Sequence, residues 1–292
     1  MRASTQTTTV TCGPHTLELG AKTRIMGIVN VTPDSFSDGG HFFSPDRAVA
    51  QGLQLVDEGA DILDIGGEST RPFSDPVSES EELKRVVPVI EQLAERVAVP
   101  ISIDTTKAAV ARRAVDAGAT IINDISALRS DPQMAATAAE CRALLILMHM
   151  KGTPKTMQVE PVYADLIAEI KAFLSNAMAQ AMDAGVQRSA IILDPGIGFG
   201  KTVDHNLRII RDLDRFRELE APLLIGASRK AFIRHLLKKK EQKEPEPLSA
   251  EVARGTQAVV AAAAMHGAHI VRVHDVARTR TTLTLVDAIR SA

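Results

Sequence analysis

The chain has 292 residues, of which 45% are hydrophobic and 24% are charged, and its formal net charge is -2. This balance is typical of a soluble globular protein, and the charge provides no basic surface for nucleic acid and no attraction to membranes. The polar first twenty residues lack the apolar core of a secretory signal, and no apolar run reaches the length of a membrane span. With only two cysteines, far apart, we expect a protein of the reducing cytosol without disulfide bonds.

Eight short apolar runs alternate with amphipathic segments along the chain. The runs are rich in Ile, Val and Leu without clean polar alternation, which is typical of parallel strands buried on both faces. They cover residues 24–31, 61–65, 100–104, 120–125, 143–149, 190–194, 222–226 and 270–274. Eight such strands predict a (β/α)8 TIM barrel in the α/β class. A doubly wound open sheet is the alternative, but it would not need so many repeats in one domain.

Helices are predicted between the runs, and two regions stand outside the repeat. The predicted helices cover residues 46–58, 79–96, 107–117, 165–184, 206–218, 250–265 and 278–289. Residues 10–19 have the pattern of a short hairpin around a Gly-Pro turn, and residues 238–248 are charged and predict a surface loop. We therefore expect an N-terminal extension and hairpin over residues 1–22 and a single barrel domain over residues 23–292.

Polar residues follow nearly every apolar run. A barrel carries its active site at the C-terminal ends of its strands, so these residues are the candidates for chemistry. They are Asn30, the loop 66–72, Asp104, Asn123 with Asp124, His149, Asp194, the segment 228–230, and Arg272 with His274. The sequence thus predicts carboxylates, amides and cations around one mouth of the barrel.

Two carboxylates, Asp104 and Asp194, each close an apolar run. Asp104 precedes a predicted helix, so helix capping is an alternative role for it. Asp194 precedes a glycine-rich loop, which makes capping a poor explanation. Carboxylates accept pairs of N–H donors, and Asn123 both donates and accepts, so together they suit the amino–amide face of a heterocycle.

Groups suited to an anion come from the first and last runs, which are neighbours in a closed barrel. Arg272 and His274 supply donors for phosphate oxygens, and Asn30 with a diphosphate suits Mg²⁺. A salt bridge to Asp275 at the rim is the alternative for the Arg–His pair.

Two more residues have open roles. Lys230 is either a site residue or a surface lysine, and we favour a structural role for His149 over a ligand or a base.

Several of these segments together resemble the dihydropteroate synthases, and the resemblance spans roughly residues 24–290. The two signature loops are NVTPDSFSDGG at 30–40 and DIGGESTRP at 64–72. Further matches are IDT at 103–105, IND at 122–124, MHM at 148–150, DPGIGFGK at 194–201, SRK at 228–230 and RVHDV at 272–276. The resemblance implies a transferase of folate biosynthesis that joins a pterin diphosphate to p-aminobenzoate with Mg²⁺, and a homodimer.

The resemblance also implies a role for each matching residue. The pterin contacts would be Asp104, Asn123, Met148, Asp194, Phe199, Gly226 and Lys230. The diphosphate contacts would be Asn30, Thr70, Arg71, Arg272 and His274, with Asn30 as the metal ligand. The p-aminobenzoate pocket would be shaped by Phe36, Thr70, Arg71, Pro72 and Phe199. The catalytic groups would be Asp104, Lys230, Arg272 and His274, acting in a dissociative mechanism in which diphosphate leaves before the aniline nitrogen attacks.

One position departs from the family pattern, and two rival functions remain at this stage. The family commonly has Ser after the SRK lysine, where it helps to bind the p-aminobenzoate carboxylate, whereas this chain has Ala231. One rival is a pterin-binding methyltransferase domain, which would have no use for the RVH, SRK and STRP segments. The other is an inactive paralogue, which the intact set of polar site residues disfavours.

Overall fold

The computed structural model describes residues 7–32, 45–69, 76–153, 156–157, 160–238 and 243–292. A hairpin of β1 and β2 opens the chain and is followed by strands β3 to β10. The strands are β1 Thr8–Cys12, β2 His15–Leu19, β3 Arg24–Asn30, β4 Ile62–Gly66, β5 Ile101–Asp104, β6 Ile121–Asp124, β7 Leu144–Met148, β8 Ile191–Asp194, β9 Leu224–Ile225 and β10 Ile270–Val273. The α-helices are α1 Pro45–Asp57, α2 Glu79–Ala94, α3 Ala108–Asp116, α4 Met134–Glu140, α5 Leu166–Asp183, α6 Val203–Arg211, α7 Ala231–Leu237, α8 Ala250–Met265 and α9 Val276–Ser291.

Strands β3 to β10 form one parallel sheet in the order β8-β7-β6-β5-β4-β3-β10-β9. The two edges meet, because Leu193 pairs with Leu223 and its N–H donates to the carbonyl of Pro222 at 2.9 Å. Seven of the eight apolar runs contain one of these strands and the run 61–65 overlaps β4, which ends one residue later, so the predicted (β/α)8 barrel is confirmed.

The two faces of the strands contribute to two different cores, because successive side chains point to opposite sides. In β4, for example, Leu63 and Ile65 belong to the core between the sheet and the helices, while Ile62 faces the barrel interior. Burial on both faces explains why the runs are apolar throughout rather than alternating. The interior set at this level is Met26, Ile62, Ile121, Leu144, Ile146, Ile192, Leu224 and Ile270.

The predicted hairpin closes the N-terminal end of the barrel. Val10, Cys12, Leu17 and Leu19 are buried, alternate with exposed residues along β1 and β2, and join the interior cluster. This end of the barrel is therefore filled with apolar side chains, and a polar site has room only at the C-terminal end of the strands.

The helices agree with the prediction except around three segments. The predicted helix 206–218 is in fact α6 followed by a 3-10 helix, Leu213–Leu219. Thr202 and His205 form a capping box that begins α6 three residues early, and Asp212 leaves the helical conformation with φ -102° and ψ 22°. The sequence analysis did not predict α4 or the extent of α7. Part of the predicted surface loop, residues 239–242, lies outside the described residues. Within the described segments, every helix is too short or too polar to cross a membrane.

Candidate active site

The interior face of the barrel changes from apolar to polar toward the C-terminal ends of the strands. Residues two apart on a strand share a face, so the side chains that follow the apolar layer point into the same space. Those in the polar layer are Asn30, Asp64, Asp104, Asn123, Asp194 and Arg272, and Met148 and Gly226 occupy equivalent positions on their strands. The strand register thus brings together residues that are far apart in the sequence.

The guanidinium of Arg272 lies between two buried carboxylates. Its Nε donates to Oδ2 of Asp64 at 2.5 Å, and its Nη2 donates to Oδ2 of Asp104 at 2.7 Å. The amide Nδ2 of Asn123 donates to the same Oδ2 of Asp64 at 3.3 Å. This network fixes the orientation of the arginine and of the asparagine, because Asp64 is fully buried and its carboxylate joins both.

Burial shifts the pKa of Asp104, Asp194 and Lys230 toward neutrality. The pKa of Asp104 is raised to about 7, chiefly by burial and further by Asp64 and Glu82, although Arg272 opposes the shift. Burial raises the pKa of Asp194 to about 6, although the N–H of Gly196 donates to its Oδ1 at 2.7 Å. Burial also lowers the pKa of Lys230 to about 8. Two acids and one base therefore change protonation near physiological pH, as in many catalytic sites.

An apolar wall lies beside the polar layer. Met148 and Phe199 belong to a buried cluster that also contains Ile125, Met150 and Met157. The Nζ of Lys230 lies 3.9 Å from the centroid of the Phe199 ring. A Cβ on Gly226 would lie 3.9 Å from Oδ2 of Asp194, so a larger side chain would fill space next to that carboxylate. Apolar surface beside N–H acceptors suits a flat heterocycle with a polar edge.

The remaining predicted residues fall into two groups. Asn30 is half-buried at the end of β3, next to β10, and His274 lies just beyond β10 with Nδ1 3.0 Å from the Oγ of Ser228. These two residues and Arg272 come from adjacent strands, as the sequence predicted. The others, Phe36, Thr70, Arg71 and Pro72, lie outside the described residues.

The structure decides between several roles that the sequence left open. Asp104 does not cap α3, because the first N–H of that helix, on Ala108, is bound by Asp131. Asp275 caps α9 and pairs with Arg278, so the alternative of a rim salt bridge to Arg272 is wrong. Asp124 faces away from the site.

The carboxylate of Asp124 accepts hydrogen bonds from Ser126 and Leu128 and so holds the turn after β6.

His149 is 5% exposed and contacts the buried Nζ of Lys201 through Nδ1 at 2.9 Å. The preferred structural role of His149 therefore agrees with its burial. Ala231 is exposed and is the first residue of α7.

Two buried charged residues of this region were not assigned by the sequence analysis. Asp64 lies inside the run ILDIG rather than at its end, and Lys201 lies at the end of the glycine-rich loop. The signal for Asp64 was a carboxylate in the middle of an apolar strand, on the same face as Gly66. A charge at such a position must have a buried partner, because an unpaired ion there would be very costly.

Comparison with known proteins identifies the family of this barrel. Residues 26–274 match the model of the family described as pterin binding enzyme. A dihydropteroate synthase from Synechocystis sp. is 46% identical over 277 residues, which cover 95% of this chain and 93% of that protein. The Yersinia pestis dihydropteroate synthase, solved with a sulfonamide drug complex, has a TM-score of 0.90 at 43% identity and covers 97% of this chain and 100% of its own.

A second solved structure gives the same result. The Xanthomonas albilineans dihydropteroate synthase with 4-aminobenzoic acid has a TM-score of 0.90 at 43% identity, covering 98% of this chain and 100% of its own. The fold, the polar layer and the family match thus agree over nearly the whole chain. The chain belongs to the dihydropteroate synthases, the pterin-binding transferases of folate biosynthesis that condense a hydroxymethyl-dihydropterin diphosphate with p-aminobenzoate to give dihydropteroate and diphosphate.

Proposed function

We propose that the polar layer of the barrel binds the pterin through Asp104, Asn123, Asp194 and Lys230, with Met148, Phe199 and Gly226 shaping the pocket. The observation that carries this assignment is that Asp104 and Asp194 end strands of one barrel, Asn123 is the penultimate residue of its strand, and all three share the interior face. The carboxylates accept the N–H groups of the ring, and the asparagine amide both donates and accepts. Met148 and Phe199 cover the apolar faces of the ring.

We assign the diphosphate to Arg272, His274 and Asn30, together with Thr70 and Arg71. The first three come from adjacent strands. Nε and Nη2 of Arg272 each donate one hydrogen bond to a carboxylate, and the guanidinium has five N–H groups, so the further N–H groups on Nη1 and Nη2 are the donors for phosphate oxygens. Because Arg272 also binds Asp64 and Asp104, its position is fixed before substrate binds.

A magnesium ion fits the donor set at this position. Among the described residues no group of three His, Cys, Asp or Glu side chains is arranged to hold a metal ion. The half-buried amide of Asn30 therefore suits an ion that takes its other ligands from the substrate diphosphate and from water, which is how Mg²⁺ is commonly bound. When bound, Mg²⁺ would neutralise charge on the leaving diphosphate.

The reaction that these groups support is a dissociative substitution at the pterin methylene carbon. The carbon–oxygen bond to diphosphate breaks, and its electron pair leaves with the diphosphate held by Arg272 and His274. The carboxylate of Asp104 then stabilises the cationic pterin methylene by charge. Finally, the aniline nitrogen of p-aminobenzoate attacks the carbon and loses a proton to solvent. Lys230, above the Phe199 ring, holds a polar atom of the pterin during these steps.

The second substrate is expected to bind beside the pterin, near Phe199, with Phe36, Thr70 and Pro72 shaping its pocket. Ala231 stands where the resemblance implies a serine, so the side chain at this position offers no hydroxyl to the carboxylate. A sulfonamide mimics p-aminobenzoate and should compete with it here, as suggested by the relative from Yersinia pestis that was solved with a sulfonamide drug.

Two further properties belong to the proposal. The cysteines Cys12 and Cys141 are both unpaired thiols, which supports a location in the reducing cytosol. The late helices of the barrel support a homodimer, because α8 and α9 carry exposed apolar side chains at Met265, Leu285 and Ile289.

The test of the proposed function is an assay of diphosphate release with the pterin diphosphate and p-aminobenzoate. Release should require both substrates, should stop when EDTA removes divalent ions, and should return with added Mg²⁺. Competition between a sulfonamide and p-aminobenzoate is measured in the same assay. Activity that persists in EDTA would remove the magnesium proposal, and release without p-aminobenzoate would mean that the protein is a hydrolase under these conditions.

A further inference from the structure

Lys201 is a buried lysine with three acceptors around its ammonium group. Only 3% of the residue is exposed. Its Nζ lies 2.9 Å from the carbonyl oxygen of Phe199, 2.9 Å from Nδ1 of His149 and 3.4 Å from the carbonyl oxygen of His149. An ammonium group has three protons, so these three acceptors match its donors. Lys201 has no role in the proposed reaction.

The loop that Lys201 ends is packed closely against the end of β7. Gly196 has a φ of 72°, and a Cβ at this residue would lie 1.9 Å from the carbonyl oxygen of His149. The N–H of His149 donates to the carbonyl of Asp194 at 2.8 Å, and the hydroxyl of Tyr163 donates to the carbonyl of Gly200 at 2.8 Å. The loop therefore has hydrogen bonds at both ends, and Lys201 adds one at Phe199, next to Gly200.

His149 is a fixed acceptor in this arrangement. Burial, and next the charge of Lys201, lower the pKa of His149 to about 2, so the ring stays neutral. The ring packs against Phe173 in a T-shaped arrangement, with the ring centroids 4.8 Å apart. For Nδ1 to accept from an ammonium group, the ring proton must be on Nε2. The buried histidine thus orients the lysine as a neutral acceptor, with its Nδ1 lone pair occupied by the ammonium group.

The charge of Lys201 also reaches Asp194. The groups that lower the pKa of Asp194 are the N–H of Gly196, then Lys230, Lys201 and Arg272, and they oppose the larger effect of burial. Lys201 is itself buried, and its pKa is lowered to about 7, so it carries a charge mainly below neutral pH. In that range the carboxylate of Asp194 is close to protonation, and a nearby positive charge has its largest effect on binding.

We propose that Lys201 is a positioning residue of the pterin site. Through His149 and the carbonyl of Phe199 it fixes the loop that carries the apolar wall, and through its charge it keeps Asp194 in the ionised form that accepts the N–H groups of the pterin. The inference rests on the pterin-binding roles proposed for Asp194 and Phe199.

The test separates the charge of Lys201 from its hydrogen bonds. Lys201→Gln removes the charge but keeps N–H donors, whereas Lys201→Arg keeps both. Calorimetry measures the affinity for hydroxymethyl-dihydropterin, without diphosphate, across the acid and neutral range. In the wild type we expect affinity to fall as pH drops through about 6, where Asp194 is protonated. In Lys201→Gln this midpoint should move upward by about half a unit or more, and in Lys201→Arg it should stay near the wild-type value.

Tyr163→Phe is the matched control for the hydrogen bonds. It removes one neutral bond to the same loop and should lower thermal stability without moving the pH midpoint. If Lys201→Gln does not fold, Lys201→Met replaces it as the neutral variant. A midpoint equal to that of the wild type, in whichever neutral variant folds, would overturn the inference.

The outcome also distinguishes this inference from the proposed function. If Asp194→Asn binds the pterin as well as the wild type does, the pterin assignment itself is wrong. If Asp194→Asn loses affinity while the neutral Lys201 variant keeps the wild-type midpoint, the assignment stands and only the role of Lys201 is wrong.

Discussion

Arg272 and Asp104 form a direct hydrogen bond, 2.7 Å from Nη2 to Oδ2, across the interior of the barrel. The two residues have different tasks in the proposed reaction, since one holds the leaving diphosphate and the other faces the cation that remains. Arg272 also donates to Asp64, so one buried positive charge lies between two buried carboxyl groups. Removing the charge of either Arg272 or Asp104 changes the net charge of this buried group. Substitution of either residue should therefore affect stability as well as turnover.

The first prediction concerns Arg272→Met. The variant should lose turnover by about 100-fold or more, because a bound diphosphate then lacks its forked donor. It should also unfold more easily, because Asp64 and Asp104 become buried carboxylates without their partner, and breaking a buried pair costs about 3–5 kcal/mol. Steady-state kinetics and urea denaturation measure the two effects. Arg272→Lys is the control. Relative to Arg272→Met, it should recover more of the free energy of unfolding than of the turnover. Normal turnover in Arg272→Met would remove the diphosphate assignment.

The second prediction concerns the stability of Asp104→Asn. The pKa of Asp104 is raised in the folded protein to about 7, so this carboxyl favours the folded state at acidic pH and loses that contribution as pH rises through about 7. An asparagine has no charge at any pH. The variant should therefore melt at least about 2 °C above the wild type at pH near 8 and show a smaller difference near pH 5.

Thermal unfolding across this pH range measures the difference between the two proteins. Asp183→Asn, at the exposed end of α5, is the matched control and should show no comparable gain. A variant that melts below the wild type at pH near 8 would mean that the contact with Arg272 outweighs the cost of burying the charge.

The fold was predictable because burial on both faces of a strand leaves a direct record in the sequence. Strands such as β7, with all five residues buried, must be apolar throughout, and the helices between them must be amphipathic. The helix from residue 206 was less predictable, since its apolar spacing continues through the 3-10 segment. The backbone at Asp212 ends the regular helix, and the left-handed backbone at Glu220 ends the 3-10 segment; the pattern of apolar residues marks neither end.

The site was predictable where a polar residue ends an apolar run, as Asp104 and Asp194 do. Asp64 and Lys201 were not assigned because their importance comes from contacts between distant parts of the chain. Asp64 meets Arg272 across 208 positions, and Lys201 meets His149 across 52. The spacing of residues in a single sequence does not reveal such contacts. The two-residue alternation of side chains along a strand would, however, have placed Asp64 on the interior face, together with Ile62 and Gly66.

The third prediction is a bell-shaped dependence of kcat/KM on pH. The acid side should follow the ionisation of Asp194, with a pKa of about 6, and of Asp104, with a pKa of about 7. The alkaline side should follow loss of the proton from Lys230, with a pKa of about 8. The maximum should therefore lie between these acid and alkaline limits. In Lys230→Arg, which stays protonated, the alkaline fall should disappear. An alkaline limb that is unchanged in this variant would exclude Lys230 as its source.

The fourth prediction concerns the homodimer. Leu285 and Ile289 lie one helical turn apart on α9 and are 64% and 63% exposed, so they form an apolar strip on a helix that packs beside α8. Light scattering at micromolar concentration should give twice the mass of the chain, and Leu285→Glu with Ile289→Glu should give the single mass. Val162→Glu, at an equally exposed apolar position elsewhere, should remain dimeric. A wild-type protein of monomer mass would contradict the proposal.

The fifth prediction is that the two strand-end carboxylates do different work. Asp194 binds the N–H of Gly196 through one oxygen, which leaves the other oriented toward the space beside Gly226. Asp194→Asn should therefore weaken pterin binding, because N–H groups of the buried ring lose their acceptor at a cost of about 1–3 kcal/mol. In the proposed reaction, the cation develops beside Asp104, which is paired with Arg272. Asp104→Asn keeps the shape but removes the charge, and an interaction made mainly in the transition state appears in kcat.

The measurement compares calorimetric pterin affinity with steady-state kcat for the two variants. Asp104→Asn should lower kcat by a much larger factor than it lowers affinity, and Asp194→Asn should lower affinity at least as much as kcat. The exposed substitution Asp183→Asn should leave both quantities unchanged. If both site variants lose affinity and turnover in the same proportion, the two carboxylates act as one binding unit. The charge of Asp104 would then have no separate role in stabilising the cation.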